Sequence, residues 1–179
     1  STIAFVDGFY YKPRIDYDLL EQYHEGLVCL SACLAGDIPQ LLLQRRYEDA
    51  KALAGRLKGI FGDDFYIEIQ NHGIPEQLEV LPQLVKLAKE LDIKYVATND
   101  IHYVKKEDAE SQDVLLCIQT NRVVTDGNRM KMSADEFYLK SEDELRAMLP
   151  EYPEAFETTK EIADKCSVEI KFGEQHLPG

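Results

Sequence analysis

Apolar positions along this chain change their spacing repeatedly. Short unbroken runs alternate with recurrences every three or four residues, and that alternation predicts an α/β fold. Asp16 is placed to cap a helix with Leu19, Leu20 and Tyr23 on its apolar face, ended by Gly26. Leu27 to Ser31 is a β-rich run suited to a buried strand. After Gly36, Asp37 is placed to cap a helix with Pro39 in its first turn. Tyr47, Ala50, Ala54, Leu57 and Phe61 then recur at helical spacing, and Phe65 to Gln70 alternates as a strand does. Leu78, Leu81, Val85, Ala88 and Leu91 make the next helical stripe, which Pro82 either kinks or begins.

Lys94 to Thr98 predicts another strand and Glu107 to Ile118 another helix. Thr120 to Ser133, with Asp-Gly and few apolar residues, predicts a long loop. Ser141 with Glu144 is a capping box for a short helix ending near Leu149. A last helix is expected from Pro153 to Cys166 with Phe156, Thr159, Ile162 and Ala163 inward. Val168 to Ile170 suggests a final strand and Gly173 to Gly179 a linker.

Composition narrows the class. The chain has 179 residues, 45% of them hydrophobic and 30% charged, enough for one packed domain. Neither a membrane span nor a secretory signal is legible, and the absence of a starting Met suggests that both ends are cut points. Net charge is −13, which argues against a free-standing nucleic-acid binder, since such proteins show a basic face. Four scattered cysteines do not make a disulfide scaffold, and a reducing, cytoplasmic compartment is expected. Cys29 and Cys33, read on or just after one strand, would lie roughly 13 Å apart, too far to bridge.

Candidate chemistry gathers where strands end. After Val96-Ala97-Thr98-Asn99 come Asp100 and His102, spaced so that an extended chain presents both on one face. Carboxylate and imidazole suit zinc or manganese, although a polar turn has the same composition. Cys33 follows the Leu27–Ser31 strand, as a ligand or as a small core residue. His72 follows the Phe65–Gln70 strand and either lines the same rim or serves the turn before Gly73, the turn role being favoured. His24 and His176 read as solvated, Cys117 and Cys166 as core. Phe9-Tyr10-Tyr11-Lys12-Pro13-Arg14 mixes rings and bases, a composition that can stack on nucleic acid; the preferred reading is a strap whose rings pack on the domain.

Several phrases together resemble one family. They are Asp7 to Arg14, Leu30-Ser31-Ala32-Cys33-Leu34-Ala35-Gly36, His72 to Gln77, Ala97 to Tyr103, Asp113 to Thr120, and Glu136 to Ser141. In order and over nearly the whole chain, they look like the later part of the polymerase and histidinol phosphatase (PHP) domain of bacterial DNA polymerase III α subunits. The resemblance implies a partial, distorted β/α barrel of TIM-like type without its first strands, over residues 1–119. Residues 120–179 would then be a loop, helices and a linker leading toward the polymerase palm. Cys33, Asp100 and His102 match three of the nine family metal ligands, and the other six would lie upstream. Zinc or manganese would sit at the PHP site of an intact parent, activating a water for 3′–5′ exonuclease proofreading. Magnesium would serve a polymerase site outside these residues. The segment alone would hold no metal and have no activity. DNA, dNTPs and other holoenzyme subunits are the partners implied through the parent, and uncovered barrel edges suggest self-association. A free-standing PHP phosphatase would need its own opening His-x-His, which this chain lacks. A purely structural or interaction module is the remaining alternative.

Overall fold

The computed structural model describes residues 2–173. The expected α/β alternation is present. Helix α1 (Thr2–Val6) leads into a hairpin of β1 (Phe9–Tyr10) and β2 (Lys12–Pro13). Then follow α2 (Tyr17–Tyr23), β3 (Cys29–Leu30), α3 (Asp37–Leu43), α4 (Tyr47–Phe61), β4 (Phe65–Ile69), α5 (Pro75–Glu90) and β5 (Tyr95–Ala97). The remainder is helical: α6 (Ala109–Thr120), α7 (Glu142–Met148) and α8 (Glu154–Lys165).

β3, β4 and β5 form one parallel sheet in that order, with Cys29 opposite Phe65 and Ile67 opposite Tyr95. The sheet is open and does not close into a barrel among the described residues. Its centre is β4, where Phe65, Tyr66, Ile67 and Ile69 are all buried, as suits a strand covered on both faces. The core joins Phe65, Ile67 and Ile69 to Ala50, Ala54, Leu57 and Phe61 of α4 and Val80, Leu84, Val85, Leu87 and Ala88 of α5. Leu149, Ala155 and Phe156 enter the same core, so the C-terminal helices pack on the sheet domain.

Local chemistry explains the boundaries. Asp16 caps α2 by accepting the Leu19 amide at 2.9 Å. The Ser141–Glu144 box caps α7 in both directions. Asp37, expected as a cap, is instead the first helical residue of α3, and its carboxylate accepts the Tyr17 hydroxyl at 3.0 Å. Helix α5 starts at Pro75 and runs through Pro82. Pro82 and Leu78 are both exposed, so the carbonyl of Leu78, which Pro82 cannot serve, faces water that can take the place of the missing N–H. For the same reason Leu78 is not part of the inward stripe.

Other expectations are corrected. The strand over Leu27–Ser31 is only two residues long and half exposed, because β3 is paired on one side alone. On α8 the buried residues are Ala155, Phe156 and Thr158, while Thr159 and Ala163 are exposed. Polar contacts to β5 and to the residue before it set that rotation: Tyr95 donates to Glu154, Lys94 pairs with Glu161 at 2.5 Å, and Thr159 donates to the Ala97 carbonyl at 3.1 Å. Cys166 is exposed and caps α8, and no strand forms over Val168–Ile170, where Val168 and Ile170 face solvent. The rings of the β1–β2 hairpin do not pack on the domain: Phe9, Tyr10 and Tyr11 are exposed. Most of the expected terminal linker, and His176, lie outside the described residues.

Candidate functional site

A parallel sheet directs the C-terminal ends of its strands to one edge, where loops can collect polar groups. Here those ends carry Ser31 to Gly36 after β3, Gln70 to Gly73 after β4, and Thr98 to Tyr103 after β5. Two of the three exits turn through a left-handed residue that is not glycine. Ala32 has φ 67° and Asp100 has φ 44°. A Cβ in that region costs on the order of 1 kcal/mol, and such strain gathers where a side chain must be aimed.

The turn at Asp100 breaks the extended geometry assumed for Asp100 and His102, yet their side chains still meet. His102 Nε2 lies 3.4 Å from Asp100 Oδ1, both groups partly open to solvent. The backbone of His102 is pinned by its amide, which donates to the Phe137 carbonyl at 2.8 Å. The Phe137 ring meets His102 edge-on at 5.6 Å between centroids and stacks on His72 at 4.2 Å. Phe137 is buried and belongs to a segment that returns over the sheet edge, where Tyr103 and Tyr138 form an isolated parallel bridge.

His72 is fully enclosed, with a relative exposure of 2%. With Nε2 protonated, the ring donates to the Asn99 carbonyl at 2.8 Å, and Nδ1 accepts from Gln77 Nε2 at 2.8 Å. Gln77 Oε1 also accepts the His72 amide at 2.8 Å. The ring therefore ties the β4 exit to the β5 exit and has no free nitrogen to offer the rim. Asn99 extends the tie, donating to the Tyr138 carbonyl at 2.6 Å.

A second polar layer lies one step deeper. Ser31 Oγ accepts the Glu68 amide at 2.8 Å, and Glu68 Oε1 accepts both the Thr98 hydroxyl and Gln70 Nε2. Glu68 thus links the strand carrying Cys33 to the strand carrying Asp100. Sequence reasoning passed over it, although a carboxylate inside the otherwise apolar run Phe65–Ile69 was a legible signal.

Cys33 stays apart from the other two candidates. β4 lies between β3 and β5, so the outer strand tips are roughly 10 Å apart at the usual strand spacing. Cys33 instead faces a recess shared with Glu68, Gln70 and Gln77, whose 20 Å³ has room for about one water. Among the described residues no three His, Cys, Asp or Glu side chains come together to hold a metal. Carboxylate and imidazole suit zinc or manganese and a thiolate suits zinc, but here only the carboxylate and the imidazole meet, so these residues alone do not make a closed site.

The rim is braced by charge. Lys106 pairs with Glu136 at 2.5 Å, and the buried Lys140 pairs with it at 3.0 Å. The hydrogen bond from Lys106, then the nearby Lys140, hold the Glu136 carboxyl below the usual carboxylate range against the opposing effect of burial. Further out, the Arg129 guanidinium grips Asp113 with two bonds of 2.5 and 2.6 Å, fastening the loop after α6 to that helix.

The PHP domain family model matches residues 1–72. The chain is 49% identical over 166 residues to the DNA polymerase III subunit alpha of Borreliella burgdorferi, covering 93% of this chain and 14% of that protein. It is 48% identical over 171 residues to the same subunit of Treponema pallidum, covering 95% of this chain and 15% of the relative. To that of Thermus aquaticus it is 47% identical over 178 residues, 98% of this chain and 15% of the relative. The chain thus spans about one-seventh of the length of the curated relatives it matches.

Proposed function

The chain belongs to the bacterial DNA polymerase III α subunit family, in its PHP region, and from that premise we propose that it serves replicative DNA synthesis as part of a larger polymerase. In that role residues 1–119 are the later part of a PHP-type β/α barrel, and residues 120–179 lead toward the palm. Nucleotidyl transfer from dNTPs onto DNA, with its magnesium, belongs to parts of the parent outside these residues, as do contacts with other holoenzyme subunits. The DNA polymerase III subunit alpha relatives are the basis for this reading.

Cys33, Asp100 and His102 are proposed as partial ligands of a zinc or manganese site that residues elsewhere in the parent complete. The observation that carries this is the left-handed turn at Asp100, which brings its carboxylate to 3.4 Å from His102 at a strand end. The bound metal would supply an activated water for 3′–5′ exonuclease chemistry. What these residues contribute is geometry: Phe137 orients His102, His72 holds the backbone at Asn99, and Glu68 spaces the two strand tips.

The test is metal content and 3′-end degradation by the longer subunit, beside its Asp100→Ala and His102→Ala variants, with the 179-residue chain measured alone. Metal and degradation in the subunit, both abolished in the variants and both absent from the short chain, support the reading. Stoichiometric metal on the short chain, or unchanged metal in both variants, would overturn it.

A further inference from the structure

The β1–β2 hairpin is built to stand out from the domain. Gly8 allows it to close: a Cβ there would meet the Arg14 carbonyl oxygen at 2.2 Å, and the Arg14 amide donates to the Gly8 carbonyl at 3.1 Å. Tyr11 makes the turn at φ 59°. The rings that result are unusually bare. Phe9 is 54%, Tyr10 63% and Tyr11 82% exposed. They pack on one another and on the neighbouring helix: Tyr10 meets Tyr11 edge-on at 4.6 Å, and Phe9 meets Phe5 of α1 at 5.6 Å.

Cations complete the surface. The Arg14 guanidinium lies 5.1 Å from the centre of the Tyr10 ring. Neither Lys12 nor Arg14 forms an ion pair among the described residues. Asp7 is the single acid between Phe5 and Arg14, so this short stretch is net positive in a chain whose net charge is −13. A partner drawn by hydrophobic contact alone would not require two unpaired cations beside the rings.

We propose that this hairpin binds single-stranded nucleic acid, with bases stacking on Tyr10 and Tyr11 and phosphates meeting Lys12 and Arg14. Every base has a face that can stack on a ring, so the site needs no sequence preference. Duplex DNA keeps its bases stacked internally and offers only phosphates. The choice of DNA over RNA rests on the replicative role proposed above; the stacking itself does not. The site uses neither Asp100 nor His102, and its ligand is the strand, not a metal.

Fluorescence anisotropy of a labelled short oligothymidylate, titrated with the 179-residue chain, tests this directly. Tyr10→Ala and Tyr11→Asn remove one ring each, and Asn tolerates the left-handed turn, so the hairpin keeps its shape. Each is expected to weaken binding roughly fivefold or more. Lys12→Ala with Arg14→Ala should flatten the salt dependence by about 0.7 in log–log slope for each phosphate that is no longer neutralised. Bromodeoxyuridine crosslinking to the longer subunit, mapped by peptide mass spectrometry, should label the hairpin. Absence of binding, equal binding by all variants, preference for duplex, or a hairpin in the longer subunit that is shielded from exchange and takes no crosslink would each overturn the proposal. The last outcome would make the hairpin an internal protein contact. Failure here leaves the metal and exonuclease measurements untouched, and their failure leaves the anisotropy untouched.

Discussion

The side-chain oxygen of Ser31 accepts the backbone amide of Glu68 at 2.8 Å, while the Ser31 amide donates to the Tyr66 carbonyl at 3.1 Å. One buried serine thereby carries the pairing of β3 and β4 past the last residue of β3, toward Cys33. Ser31→Ala would leave the Glu68 amide without its acceptor. The expected cost is about 1–3 kcal/mol, read from the urea midpoint at unchanged slope. A midpoint equal to that of the parent chain would show that the bond does not hold the edge strand.

Ala32 occupies the left-handed region and its side chain is exposed. Replacing alanine by glycine usually destabilises, through the entropy of the unfolded chain. At Ala32 relief of the left-handed strain should prevail, and Ala32→Gly should be neutral or more stable by up to about 1 kcal/mol in the same urea titration. A clear loss of stability would mean that the turn is not strained.

Gly36 is the opposite case. Its φ is ordinary, but an added Cβ would meet the Ser31 carbonyl oxygen at 2.4 Å. Gly36→Ala should push the Ser31–Gly36 turn open and move Cys33. Faster alkylation of Cys33 by iodoacetamide, mapped by mass spectrometry, is the expected sign; an unchanged rate would show that the turn absorbs the methyl group in place.

Acid should loosen the fold through its paired carboxylates. Hydrogen bonds from Arg129, Lys106 and Lys94 hold Asp113, Glu136 and Glu161 below the ordinary range. A carboxylate depressed in the folded state contributes stability above its unfolded pKa, near 4, and loses that contribution as pH falls through its folded value. The melting temperature should therefore hold steady above about pH 5 and decline below about pH 4. Asp113→Asn should lower it at neutral pH and make the acid decline shallower. A decline as steep as in the parent would assign the acid sensitivity to other groups.

Self-association is expected through α6, where Leu115 is 57% and Ile118 71% exposed, one turn apart on the same face. Sedimentation velocity should show weight-average mass rising with concentration. Leu115→Glu with Ile118→Glu should restore a monomer. A monomer at every concentration in the parent chain would dismiss the expectation.

Spacing along the chain determined the order and type of most elements. Three- and four-residue recurrence forces one face of α4 inward, and Asp16 and Ser141 supply the acceptors that helix starts lack, so these features follow from local chemistry. The strand tips bearing Cys33, Asp100 and His102 were legible for the same reason: an apolar run ended and ligand-type residues followed. Only the tertiary structure decided which of them meet. The strand order puts β4 between the outer tips and separates Cys33 from the pair, whereas the turn at Asp100 lets its carboxylate reach His102. It also decided that His72 is enclosed, that Phe137 comes back from a distant segment to stack on it, and that the hairpin rings face water. Those outcomes depend on contacts between residues far apart in sequence. Local periodicity records which face of an element is buried, but not which other element buries it.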